Sequence, residues 1–238
     1  MRQEMEMPAT FKYNGVLDLL CDAAFQCRLA RGCDNSYQMN RHARASILSS
    51  ALALESAANS LLRSLELSTG FAEELDKLPV LAKFDVYLRC KQTNLQLDRG
   101  RMEVQRVREL LRARNDYVHP KVQTIPTDVS SPEEQGERLV LPLSLTGQMW
   151  DAVKIPKRPM FWSADSAQSA LSATVGFLKL IVQDCANLSP EEARYFMHSR
   201  LEFGDAHVIA SFDEFESELR DASDLALNFE FLGIPTAK

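Results

Sequence analysis

The feature that most restricts the fold is a seam in which Ile47, Ala51, Leu54, Ala58, Leu61 and Leu65 recur at spacings of four, three, four, three and four. That period marks one face of an α-helix and excludes a half-buried strand, whose inner face repeats every second residue. Alanines alternate with the larger side chains, so a neighbouring helix can approach closely. The seam predicts a helix over about Arg41–Glu66 inside a helical bundle. Other stretches agree with it. A first helix is expected over about Tyr13–Arg31, with Val16, Leu19, Leu20, Ala23, Ala24 and Cys27 on one face and Gly32 as its stop. A third, about Phe71–Gln92, is interrupted near Pro79, and a fourth spans about Gly100–Val118.

Beyond these, Val122–Gly136 is rich in proline, serine and threonine and reads as a surface loop. Arg138–Leu145 alternates apolar and polar residues and reads as a short edge strand, Pro142 arguing against a central one. A helix over about Ser163–Asn187 carries Ala167, Ala170, Leu171, Thr174, Val175, Leu178 and Val182 on one face. Ser189-Pro190-Glu191-Glu192 and Ser211-Phe212-Asp213-Glu214 are capping-box signals that announce two more. The expected fold is therefore all-α: an antiparallel four-helix bundle over 13–121, a loop region with a short strand or hairpin over 122–162, and further helices over 163–238 packed on the bundle.

Composition supports this class. The 238 residues suffice for one sizeable core, and nine glycines leave little room for the turns of an all-β fold. No apolar run approaches membrane-spanning length, and MRQEMEMPATFKYNG lacks the basic-then-apolar order of a secretory signal, so a cytoplasmic protein without membrane partners is the default expectation. Cys21, Cys27, Cys33, Cys90 and Cys185 form no Cys-x-x-Cys pair and read as reduced thiols. A net charge of −6 argues against a protein coated in positive charge, yet the charge is uneven. Between Arg99 and Lys121 seven basic residues face three acidic ones, whereas from Ser189 onward eleven acidic residues face four basic ones. A polyanion belongs on the first of these segments. The same pattern also fits a helix with a solvated charged face.

The basic segment contains Arg114-Asn115-Asp116-Tyr117-Val118-His119-Pro120. Val104, Val107, Leu111, Arg114 and Val118 follow helical spacing, so Arg114 falls on a face expected to meet other helices, where an unpaired guanidinium is costly. Pro120 disfavours helical backbone at His119 and so ends the helix there. On the second helix Glu55 and Asn59 interrupt the line of Leu48, Leu52 and Leu62. Glu55 is the natural partner for Arg114 through a charge-assisted contact. The alternative at this point is that both merely close the bundle interior. His42, His198 and His207 lack ligand spacing and read as surface or capping residues. Trp150 and Trp162 flank a basic, proline-containing segment and read as anchors of that loop, with base stacking as the competing role. No phosphate-binding glycine loop or Gly-x-Ser-x-Gly elbow is present, which disfavours nucleotide-driven and serine-hydrolase chemistry.

An inward Glu-x-x-x-Asn on one helix, followed by Arg114, polar Asn115 and His119 at the end of another, resembles the HEPN family of small helical bundles. ALALESAANSLL, from Ala51 to Leu62, and LPVLAKFDVYL, from Leu78 to Leu88, add to the likeness, which covers roughly Tyr13–Lys121. The resemblance implies a homodimer whose two motifs meet across a cleft, acting on RNA as an endoribonuclease without metal or cofactor. In it His119 moves the proton of a ribose 2′-hydroxyl or of the leaving oxygen, leaving a 2′,3′-cyclic phosphate. Arg114 stabilises phosphoryl charge, Asn115 orients the imidazole or a phosphate, and Glu55 and Asn59 support them. Arg112 and Lys121 hold flanking phosphates. A neutralising or regulatory protein partner belongs to the same picture. Members paired with a nucleotidyltransferase antitoxin commonly carry a tyrosine two places after the histidine, where this chain has Lys121. The alternative the family also offers is a non-catalytic RNA-binding or protein-interaction scaffold.

Overall fold

The computed structural model describes residues 8–122, 124, 128–129, 131, 133–135, 138–140, 143–144 and 147–235. It is mainly helical with a small antiparallel sheet. A short strand, β1 (Thr10–Lys12), leads into α1 (Val16–Arg31) and α2 (Ser36–Arg63), followed by α3 (Thr69–Asp76), α4 (Val80–Lys91) and α5 (Met102–Val118). The seam residues Ile47, Ala51, Leu54, Ala58 and Leu61 are fully buried. α2 begins before its apolar period does, because Asn35 caps it: the side-chain oxygen accepts the amides of Tyr37 and Gln38 at 2.9 and 3.2 Å. Pro79 divides α3 from α4, standing immediately before the first residue of α4.

Between α5 and the next helix lie two nested pairings and a small hairpin. β2 (Asp128–Val129) pairs with β5 (Leu143–Ser144), and β3 (Glu133–Gln135) with β4 (Arg138–Val140), so pairing replaces the plain loop expected over Val122–Gly136. Pro142 and Leu145, part of the expected edge strand, lie outside the described residues. β6 (Met149–Trp150) and β7 (Ile155–Pro156) form the hairpin. Then α6 (Ala164–Lys179) continues into a π-helical turn, Leu180–Cys185, whose wide bonding is seen in Ala186 N–H to Ile181 O at 2.8 Å.

The C-terminal region holds α7 (Pro190–Met197) and α8 (Asp213–Arg220), and between them a hairpin that the sequence reading missed, β8 (Arg200–Phe203) and β9 (Ala206–Ile209). Gly204 opens its two-residue turn at φ +59°, a conformation glycine adopts without cost. β1 joins this hairpin to give the order β1-β8-β9. The capping box at Ser189 forms in full, with Glu192 and Ser189 each accepting the other's amide. The one expected at Ser211 does not: Phe212 stands at the cap, and the Ser211 hydroxyl donates to Glu216 at 2.6 Å instead.

α2 is the axis of the molecule. α1 runs against it, as the contacts Asn14–Ser60, Ala23–Ser46 and Gln26–His42 show. α6 runs alongside it in the same direction, with Asn40 reaching the Trp162 carbonyl and Thr174 donating to the Ser50 carbonyl. Phe84 meets Phe177 edge-on at 5.0 Å and ties α4 to α6. Buried apolar side chains from Val16 to Ile234 belong to one core.

Candidate functional site

On α5 the buried side chains are Val104, Val107, Leu110 and Ala113, at steps of three. The face expected through Arg114 and Val118 is therefore the edge of the packed surface, and Val118 is 47% exposed. Arg114 sits on that edge with its side chain 18% exposed and donates from Nη2 to the Glu55 carboxylate, which is 39% exposed. The pairing expected between α2 and α5 is present. The Arg114 Nε is buried without a partner among the described residues.

Asn59 does not join this pair. Its oxygen accepts Lys83 Nζ at 2.6 Å, and the same ammonium, almost wholly buried, reaches Asp76 at 2.8 Å. One turn of α2 thus separates two polar contacts with different helices, Glu55 with α5 and Asn59 with α4. Leu52, on the line assigned to an apolar stripe, is 41% exposed and belongs to the outer surface.

His119 leaves the helix at φ −117° and ψ 64°, as the following proline requires, while its amide still bonds the Asn115 carbonyl at 2.9 Å. Asn115 and His119 are both exposed, one turn apart. Arg114 points about 100° around the helix from Asn115, toward α2. Within a single chain the geometry brings Asn115 near His119 and Arg114 near Glu55; it does not close all four into one enclosed pocket. Arg106, Arg112 and Lys121 are exposed and have no ion pair among the described residues. The remaining acidic group of this helix that faces the loop, Glu109, is occupied by the amides of Ala152 and Val153 at 2.7 and 3.0 Å.

Beside the end of α5, Tyr117 packs on Trp162 with centroids 5.5 Å apart, and the Arg44 guanidinium lies 5.9 Å from the Tyr117 ring. Trp162 is buried and its indole donates to the Pro156 carbonyl at 2.7 Å, the anchoring role expected of it. Arg44 carried no signal in the sequence. It stands in the first half of α2, far from the motif in number, and only the packing of α2 beside the end of α5 brings it there.

His198 ends α7 and is fully buried, with Nε2 3.0 Å from the Leu232 carbonyl; a carbonyl only accepts, so Nε2 carries the proton. Burial first, then the nearby Arg194, pushes its pKa down to about 4. His42 contacts Gln26, and His207 lies exposed against Tyr195. Among the described residues no three His, Cys, Asp or Glu side chains are gathered to hold a metal ion, and no helix is long and apolar enough to cross a membrane. A cleft of 1140 Å³ opens elsewhere, between α1, the end of α2 and α3, and of the candidate residues only Asn59 lines it. No family model, curated protein or solved structure matches the chain.

Proposed function

We propose that this chain is a HEPN-like bundle that acts on RNA as a metal-independent endoribonuclease, with Arg114, Asn115 and His119 as its working groups. The observation that carries the reading is the end of α5. There Arg114, paired with Glu55 at the rim of the packed face, lies five residues before an exposed imidazole, in a segment whose Arg106, Arg112 and Lys121 are open to solvent. Anionic backbone is attracted to such a strip, and an imidazole has the chemistry to accept and to donate a proton.

In the proposed reaction the ribose 2′-oxygen attacks the adjacent phosphorus and gives its proton to one His119. The bond from phosphorus to the 5′-oxygen breaks, a protonated His119 supplies the proton to that oxygen, and a 2′,3′-cyclic phosphate remains. Two histidines serve best, which is what a homodimer with facing α5 ends supplies. Exposed Leu52 and Val118 beside the Glu55–Arg114 pair give a second copy an apolar strip to cover. Arg114 from one side or the other then stabilises charge on the phosphoryl oxygens, and Arg112 and Lys121 hold flanking phosphates.

A second reading, a non-cleaving RNA-binding or interaction scaffold, draws on the way Arg114 and His119 leave α5 on different faces. Induced expression separates the two. The nuclease reading expects growth arrest that Arg114→Ala and His119→Ala each abolish while both variants stay folded; equal growth with all three proteins favours the scaffold.

A further inference from the structure

The cleft beside α3 has a character opposite to that of the α5 strip. Leu19, Leu62, Leu67 and Leu75 give it apolar surface, and its walls carry Asp18, Asp22, Glu66, Glu73 and Asp76, with Arg63 the only basic residue among those described that line it. Two of the carboxylates are engaged: Asp76 by Lys83 at 2.8 Å and Asp18 by the Tyr13 hydroxyl at 2.6 Å. Asp22, Glu66 and Glu73 have no ion pair among the described residues. The carbonyl end of α2 opens at the same place and adds partial negative charge. Beyond Tyr13 a much smaller hollow, edged by exposed Phe11 and Phe212, continues the apolar surface.

Size and chemistry narrow the occupant. Small-ligand pockets run roughly 300–1,000 Å³, and this cleft, at 1140 Å³ and open along its rim, suits a larger body. A polyanion or an anionic membrane surface is repelled by the walls. A bare inorganic cation would leave the leucines uncovered. An amphipathic helix satisfies both halves of the surface, its apolar face on the leucines and its lysines or arginines against Asp22, Glu66 and Glu73.

We propose that this cleft is a docking groove for a cationic amphipathic helix of a partner protein. The proposal rests on the apolar floor and unpaired carboxylates of one groove and is independent of the RNA reading, since Arg114, Asn115 and His119 all lie outside the cleft and Asn59, which lines it, bonds Lys83 and not the Glu55–Arg114 pair.

The test is fluorescence anisotropy of the full chain with a labelled leucine–lysine peptide of about 18 residues patterned at the helical period. A scrambled peptide of the same composition, spermidine, and two charge-matched double variants complete it. Binding of the patterned peptide is expected to weaken with salt and to fall roughly three- to tenfold in Asp22→Asn with Glu73→Gln, the scale of two exposed ion pairs. Asp151→Asn with Asp205→Asn, remote exposed carboxylates, is expected to bind as the wild type does. Thermal melts of both variants by circular dichroism keep folding apart from binding. Equal affinity for the scrambled peptide or for spermidine, or an equal loss in the two double variants, overturns the groove.

Discussion

A guanidinium at the rim of a packed face and a carboxylate one helix away satisfy each other at little cost, and Glu55 and Arg114 do so here without leaving solvent entirely. The two residue types and their helical positions made that pair legible before the fold was known. His198 was not legible in the same way. In sequence it is a lone histidine after a helix, whereas in the molecule it is sealed beneath Leu232, with its second ring nitrogen unpartnered among the described residues. Its neutral form is favoured in the fold, because burial and Arg194 hold the pKa near 4, below the ordinary value of about 6.5 in an unfolded chain. The stability it contributes is thus complete above about pH 6.5 and is lost as pH falls through 6.5 toward 4, by up to roughly 3 kcal/mol. Urea unfolding across that range tests this: His198→Gln, which keeps a donor for the carbonyl and removes the titration, is expected to flatten the slope. An unchanged slope would assign the acid sensitivity to other groups.

At the scale of elements, burial and polarity act on neighbouring turns of α2 in opposite senses. Ser46 and Ser50 are both fully buried, but the Ser46 hydroxyl donates to the Ala23 carbonyl at 2.8 Å while the Ser50 hydroxyl has no partner among the described residues. Ser46→Ala is expected to lower unfolding stability by about 1 kcal/mol, and Ser50→Ala to leave it unchanged or raise it slightly. Equal losses in chemical denaturation would contradict the assignment. The seams of α2 and α6 were readable because apolar side chains recur there every three or four residues and, apart from Leu65 beyond the end of α2, are buried. The start of α2 was not, since its first turns carry no apolar repeat and are set by the Asn35 cap. The β8–β9 hairpin was missed although Gly204 marks its turn: its strands are only four residues long and lie partly exposed, so their alternation carries little signal. The same reason holds for the Ser211 box, where the serine found a carboxylate instead of a helix amide.

For the whole molecule, the uneven charge along the chain resolves into two surfaces. Part of the acidic C-terminal region is consumed in holding the molecule together, Glu218 and Asp224 on Arg28 of α1 and Glu216 on Arg194. The basic surplus around α5 remains largely open, and that is where RNA is proposed to lie. Residue types identified the candidate groups from sequence, but not their directions: a five-residue step along a helix does not return to the same face, and the end of α5 carries Arg114 inward and His119 outward. In the proposed cleavage their cooperation would therefore draw on two copies. The most direct measurement is incubation of purified protein with single-stranded RNA in the presence of a chelator, followed by analysis of product ends. The account predicts fragments ending in 2′,3′-cyclic phosphate from the wild type and none from Arg114→Ala or His119→Ala. Intact RNA with the wild type, or the same fragments from all three proteins, would contradict it.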